Sequence, residues 1–456
     1  MPNVVARFAC AAAIALAACR TPPPATQAPP VPSHAAAAQP PAGKADPTLV
    51  AAAAGTPSLR PGYVRPKLID FHGHLSPDGL DRIAQVMADN GIETMVNLSG
   101  GSQRRGTAAL EGSKAMADAL QGAKAQAGSQ TPQILNFWSP DWHDFGVAGW
   151  GEREAGRLQE AVDRFGFRGV KISKGLGLGY TDAEDRLVPV DDARIGPVWQ
   201  KAGDLGIPVC IHVADPRAFW QPLTPQNERW DELGTHPYWA YGPVPPELAA
   251  QMPERPPVPS WQALLQSAER LYRNHPRTTF VAVHFGNAAE DLDYVDGLLQ
   301  RNPNLWIDIA ARVGEFGRHP PEKLRAFFSR HQDRIVFGTD IGIGADGLML
   351  GSNGPVEPTM ADVAPFFLSH FRFFETGLRQ IDHPSPIQGR WKIDAIDLPN
   401  DVLDKVYRGN ALRALDRRGR LAWSATQPGA SPPLAEVPSP GPTPPLPVQP
   451  TPSASP

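Results

Sequence analysis

Between residues 63 and 421, short apolar runs alternate with longer stretches whose apolar positions recur every three or four residues. The runs are β-branched or aromatic, and each is followed by Gly, Ser, Pro or Asp. They are Leu68–His74, Thr94–Leu98, Ile134–Trp138, Gly169–Ile172, Val209–Val213, Phe280–His284, Trp306–Ile309 and Ile335–Asp340. This is the pattern of buried strands. Helical spacing falls between them, at Asp78–Asn90, Ser113–Gln126, Arg153–Arg164, Ile195–Leu205, Trp261–Arg273, Ala289–Arg301 and Glu322–His331. In Arg153–Arg164 and just beyond, Leu158, Ala161, Val162 and Phe165 make the apolar stripe. Strands alternating with helices predict a parallel sheet, and eight such units predict its closure into an α/β (β/α)8 TIM barrel. No internal repeat marks the chain.

One connection breaks the rhythm. After the fifth strand, Ala214 to Pro259 carries Trp220, Trp230, Tyr238, Trp239, Tyr241 and many prolines, with no core period. In a barrel this insertion lies over the C-terminal mouth of the strands, where active sites sit. It reads equally as a lid or substrate wall and as a structural cap whose aromatics pack on one another.

Composition alters the picture at the two ends. The 52 prolines crowd into Thr21–Pro66 and Gln427–Pro456, mixed with Ala, Ser and Thr. Such segments bury too little apolar surface to offset the entropy of ordering. They predict a tether over 20–62 and a disordered tail over 422–456, flanking a barrel domain over 63–421. The formal net charge of -4, with no Lys/Arg stripe, excludes an electrostatic case for nucleic acid.

The first residues read as a processing signal, with Arg7 followed by the apolar run Phe8–Ala18, too short to span a bilayer. The run ends in Leu16-Ala17-Ala18-Cys19, which resembles the bacterial lipobox. That resemblance implies a lipoprotein signal peptide over 1–19, lipidation of Cys19, export and anchoring to a bacterial membrane. Arg20, where an inner-membrane retention signal would place Asp, points to the outer membrane, facing the periplasm. An ordinary secretory signal cut elsewhere is the plainer alternative. Of three cysteines, Cys10 leaves with the signal and Cys19 would carry lipid. Cys210 alone remains, so the mature domain has no internal disulfide.

The chemistry gathers at strand ends. Alternate side chains of a strand share a face, so Asp70, His72 and His74 point the same way. Two imidazoles side by side are half of a metal site. Strand four ends at Lys171, strand five at His212, strand six at His284 and strand eight at Asp340. Each terminates a strongly apolar run, so all meet at one rim. A lone histidine at a strand end is usually structural, but four with an aspartate at matching places are not a chance pattern. The plainer reading of Lys171 is an internal ion pair with a buried carboxylate such as Asp70 or Asp308. Trp138 and Trp142, Arg217, Lys174, Arg312 and Asp308 follow or end strands and are candidates for lining the pocket or anchoring a substrate carboxylate. The plainer reading makes each a structural group or surface charge. His143, His236, His319, His331, His370 and His383 lack the strand-end context.

With these residues in view, the chain resembles the amidohydrolase superfamily, and within it the amidohydrolase-related branch that includes aminocarboxymuconate-semialdehyde decarboxylase-like enzymes. The likeness rests on Ile-Asp-Phe-His-Gly-His at 69–74, Gly-Val-Lys at 169–171, Cys-Ile-His at 210–212, Val-Ala-Val-His-Phe-Gly at 281–286 and Val-Phe-Gly-Thr-Asp at 336–340. The closing segment Leu398–Ala411 adds to it.

Carried over residue by residue, the resemblance implies that His72, His74, His212 and Asp340 ligate one divalent cation, zinc above others. It implies that Asp340 also takes the proton of an activated water and that His284 stands by the water or the substrate oxygen, or serves a second metal. It leaves Lys171 either free or carbamylated between two metals. The activity implied is hydrolysis of a C–N or C–O bond of a small molecule. Decarboxylation of a small unsaturated or aromatic acid by the same ligands is the alternative. A non-catalytic anchored binding protein is the third reading. Related enzymes are often homodimers.

Overall fold

The computed structural model describes residues 58–99, 133–250, 252 and 257–416. The leader with Cys19, nearly all of the tether, the expected helix Ser113–Gln126 and the C-terminal tail lie outside the described residues.

The apolar runs form parallel strands in chain order. They are β1 Leu68–Leu75, β2 Ile92–Asn97, β3 Gln133–Trp138, β4 Gly169–Ile172, β5 Val209–Ile211, β6 Phe280–Ala282, β7 Leu305–Asp308 and β8 Ile335–Val336. Each pairs in parallel with the next. The eighth strand is interrupted and resumes as β9, Ile341–Ile343, which pairs in parallel with β1. Backbone bonds from Phe71 N–H to Phe337 O and from Asp340 N–H to His72 O, both 2.9 Å, tie the same segment to β1. The sheet therefore curls back on its first strand as a TIM-type α/β barrel. β10, Leu348–Leu350, lies antiparallel on β9 at the rim.

Strands five and six end earlier than the apolar pattern suggests. Val283 is followed by a tight turn, with left-handed φ values at His284, Phe285 and Asn287. Ala214, Ala311 and Asp340 adopt the same sparsely populated region. These non-glycine residues cluster where strands five to eight leave the sheet. Such strain, of about 1–3 kcal/mol each, persists only where surrounding structure enforces it, and it concentrates at functional sites.

The helices bury the stripes that their spacing predicts. Trp150–Phe165 buries Trp150, Ala155, Leu158 and Ala161. Ser260 accepts the Ala263 N–H to cap Trp261–Asn274, and Asp291 accepts the Tyr294 N–H to cap Leu292–Arg301. Gly206 ends Gly196–Leu205 at φ 68°, a conformation that side chains resist. The helix Met360–Glu375 is not among those the periodicity predicts. Its buried residues include Phe366, Phe367, Phe371, Phe373 and Phe374, so it is apolar around much of its circumference, and Pro365 lies inside it. Periodicity cannot mark a helix without a polar face.

The insertion after β5 has a small core of its own, built from Phe219, Leu223, Leu233 and Ala240. Arg229, buried within it, pairs with Glu232 at 2.7 Å and with Glu315, which follows β7. Ser352 donates to Glu232, and Arg390 pairs with Asp231 at 2.6 Å. The segment is thus a bolted wall. It joins the two readings that the aromatic pattern left open, because its aromatics pack together and the whole is fixed at the rim. No helix among the described residues is long and apolar enough to cross a membrane.

Candidate metal centre

Parity along β1 brings His72 and His74 to the barrel mouth, where Asp340 meets both. Its Oδ1 lies 3.4 Å from His72 Nε2 and 3.1 Å from His74 Nε2. The tilted rings of His284 and His72 pack with centroids 4.6 Å apart, and His212 meets His284 edge-on at 4.5 Å. One ligand atom each from His72, His284 and Asp340 falls within 4.8 Å of the others. The rim residues expected from the strand-end pattern therefore converge.

Outer groups orient these rings. Asp308, the last residue of β7, accepts from His72 Nδ1 at 2.7 Å, from the His284 N–H at 2.6 Å and from the Ala310 N–H at 3.2 Å. The carboxylate holds the His72 proton on Nδ1 and leaves the Nε2 lone pair facing the centre. His284 Nδ1 faces the Ala310 carbonyl at 2.9 Å, so that nitrogen is the donor and Nε2 is again the acceptor. Asp70 lies beneath the cluster and accepts from Thr339 Oγ1 at 2.5 Å, from the Thr339 N–H and from the His72 N–H. It fastens β1 to the segment that carries Asp340. Burial pushes its carboxyl up to about 7, against those hydrogen bonds.

Electrostatics suit a cation. Burial keeps His72 and His284 neutral, and drives His212 down to about 4 against the pull of Asp215. Burial opposes ionisation of Asp340, yet His72 and His74 hold its carboxyl at about 2. The fit test is the orphaned nitrogens. His72 Nε2 and His212 Nε2 are buried and form no hydrogen bond, each facing a carboxylate oxygen at 3.4 Å, Asp340 Oδ1 and Asp215 Oδ1. Buried polar atoms in that state are uncommon, and neutral imidazole nitrogens beside a carboxylate are the donor set of a borderline divalent ion.

Lys171 is buried on β4, and burial lowers its pKa. The expected ion pair with Asp70 or Asp308 does not form among the described residues, because those carboxylates are committed to Thr339, His72, His284 and Ala310. Trp138 is a correction: it is buried in the main apolar core rather than set out as a pocket wall. Arg217 is another. Its side chain is 46% exposed, 3.9 Å from Asp291 and over the Trp261 ring, a surface position. Arg312 is buried at the mouth, with its guanidinium on Asn287.

Asp215 is a residue that the sequence pattern missed. Its Oδ1 lies 3.4 Å from His212 Nε2, and its Oδ2 accepts from Lys174 Nζ at 2.8 Å and from Tyr241 O–H at 3.0 Å. Burial alone would raise its carboxyl, but Lys174 and His212 hold it well below the usual carboxylate range. The available signal was its place three residues beyond His212, at the start of the insertion.

The amidohydrolase family model matches residues 69–417, most of the chain. The chain belongs to the amidohydrolase-2 family. Comparison with curated proteins finds no match. Among solved structures similar to this family member is 2,6-dihydroxybenzoate decarboxylase from Rhizobium, at 16% identity and a TM-score of 0.42, covering 77% of this chain and 99% of that one. A dihydroxybenzoic acid decarboxylase from Polaromonas, solved with manganese and 2-nitroresorcinol, is similar at 15% identity and a TM-score of 0.44, covering 77% and 97%. The 4-oxalomesaconate hydratase from Rhodopseudomonas palustris is similar at 15% identity and a TM-score of 0.40, covering 77% and 96%.

Proposed function

We propose that this amidohydrolase-2 member is a metal-dependent hydrolase that attacks a C–N or C–O bond of a small molecule with water. The observation that carries the reading is the convergence of strand-end imidazoles on Asp340, with two ring nitrogens buried beside carboxylate oxygens and without a hydrogen bond. His72, His74, His212 and Asp340 would hold one divalent cation, which we assign as zinc from the imidazole and carboxylate donors. Bound there, the ion would supply Lewis acidity to polarise the scissile carbonyl and to acidify water.

The chain's own groups do the rest. Asp340 is ionised, so it accepts the proton of the attacking water and returns it to the leaving group. His284 presents an acceptor Nε2, because Nδ1 donates to Ala310, and so it orients the water rather than donating to the substrate. The insertion reaches the site through Tyr241, whose hydroxyl donates to Asp215 beside His212.

The test joins metal stoichiometry to a panel of amides, lactones and aromatic acids. We expect close to one ion per chain and hydrolysis of a panel member. Asp340→Asn should lower turnover by about 10²–10⁴-fold, the range for a positioned acid–base group. Undiminished turnover would remove Asp340 from the proton path. Carbon dioxide release without hydrolysis would reassign the site to decarboxylation, and correctly folded protein without stoichiometric metal would make it a binding protein.

A further inference from the structure

The rings of His72 and His284 are each oriented through Nδ1, by the Asp308 carboxylate and by the Ala310 carbonyl. His212 is held differently. Its N–H donates to Ile172 O at 2.9 Å as strand five ends, and the chain then turns at Ala214, whose φ is 60°. A left-handed alanine persists only where its neighbours enforce it. Asn287 does so by donating to Val213 O at 3.0 Å and to Ala214 O at 3.1 Å. Trp261 Nε1 donates to Asp215 O at 3.1 Å. The turn brings Asp215 back to His212, with Oδ1 3.4 Å from the buried Nε2.

Two other elements hold Asp215. Lys174, just past β4, donates to Oδ2 at 2.8 Å, and Tyr241, from the insertion, donates to the same oxygen at 3.0 Å. Both donors take Oδ2, which leaves Oδ1 toward the ring. Tyr241 is itself anchored inside the insertion. Its N–H donates to Phe219 O at 2.7 Å, its ring lies 4.5 Å from that of Trp220, and Trp220 Nε1 donates to Pro259 O at 3.0 Å. The next residue, Gly242, passes so close to the Trp220 and Gln221 carbonyls that a Cβ would collide with them. The frame of the insertion thus ends in one hydroxyl on the carboxylate beside a ring nitrogen of the centre. Lys174 offsets the charge of Asp215, whereas Tyr241 directs that charge without cancelling it.

We propose that Asp215 and Tyr241 are positioning residues for His212, through which the insertion sets the affinity and geometry of the metal centre. A carboxylate beside the ring nitrogen fixes where that nitrogen points and adds negative charge next to a dication, and such outer groups commonly decide metal affinity. The inference rests on reading the cluster as a metal centre, but not on which bond is broken there.

The test uses the full chain with zinc and, in parallel, with cobalt(II). Zinc affinity is read by competition with a chromophoric chelator, ligand geometry by the visible spectrum of the cobalt-loaded protein, and folding by the melting curve of metal-free protein. Asp215→Asn should bind zinc about 10–100-fold more weakly and Tyr241→Phe about 3–10-fold more weakly, the smaller loss because Lys174 still holds Oδ2. Both should shift the cobalt bands. Because Tyr241 acts through Asp215, adding Tyr241→Phe to Asp215→Asn should change affinity by less than about twofold. Arg390→Gln cuts a different tie of the insertion, the one to Asp231, and should leave zinc affinity and spectrum as in the wild type. Variants that melt lower but bind zinc like the wild type overturn the proposal, since Asp215 and Tyr241 would then only stabilise the fold. So do additive losses in the double variant, or an equal loss in Arg390→Gln. Should Asp215→Asn fail to fold, Tyr241→Phe against Arg390→Gln decides. A wild type that binds no zinc removes the metal reading together with this inference, whereas unchanged affinity in variants of a zinc-binding wild type removes this inference alone.

Discussion

Replacing Asp308 by Asn removes one charge and exchanges one oxygen for an NH2 group, yet it should weaken the whole centre. Asp308 Oδ1 accepts two backbone N–H groups, from His284 and Ala310, and Oδ2 accepts from His72 Nδ1. An asparagine oxygen can keep the backbone bonds. Its NH2 then faces His72 Nδ1, and two donors cannot bond. The ring escapes by moving its proton to Nε2, the nitrogen that should carry a lone pair toward the cation. Loss of a buried charge-assisted hydrogen bond costs about 1.5–3 kcal/mol. Outer-shell partners of ligating histidines are worth about 10–100-fold in metal affinity, which is about 1.4–2.8 kcal/mol. The two scales agree, so the Asp308→Asn protein should bind zinc about 10–100-fold more weakly while keeping its far-UV circular dichroism. Competition against a chromophoric chelator measures the constant directly. Affinity within about twofold of the wild type would show that Asp308 does not set the His72 tautomer, and the argument would fail.

Other perturbations test the structure and the sequence reading in turn. Arg229→Met leaves Glu232 and Glu315 buried without their cation, and urea unfolding should show a loss of about 3–5 kcal/mol. An unchanged midpoint would mean that the insertion is not bolted through this pair. Gly338→Ala places a Cβ 2.9 Å from His72 Cβ, so β8 and β1 must separate. A stability loss of about 1–3 kcal/mol with weakened zinc binding is expected, and retained affinity would show that the contact relaxes without moving His72. Cys19→Ser should move the protein from the membrane to the soluble fraction on cell fractionation, and continued membrane association would discard the proposed lipid anchor.

Much of the fold was legible in the sequence because the barrel is built from local signals. Most strands are short, mainly apolar runs, since a parallel sheet covered on both faces exposes little of them to water. Each predicted helix among the described residues shows a stripe because it has one wet face. The rim histidines were legible because each stops such a run, and a parallel barrel sends every strand end to one mouth. The helix Met360–Glu375 escaped because it has little polar face, and the early ends of strands five and six escaped because their left-handed turns carry no glycine at His284 or Phe285.

The pattern of runs and stops by itself determined the architecture and the residue types at its mouth, because burial and alternation are written into composition and spacing. Only the tertiary structure decided partners. It gave Asp308 to His72 and Asp70 to Thr339, took Trp138 into the core and turned Arg217 outward. It left Arg312 buried with neutral acceptors. These pairings join residues from different strands and loops, many of them far apart along the chain. No local period encodes which of two buried arginines will find a carboxylate and which will rest on neutral oxygens.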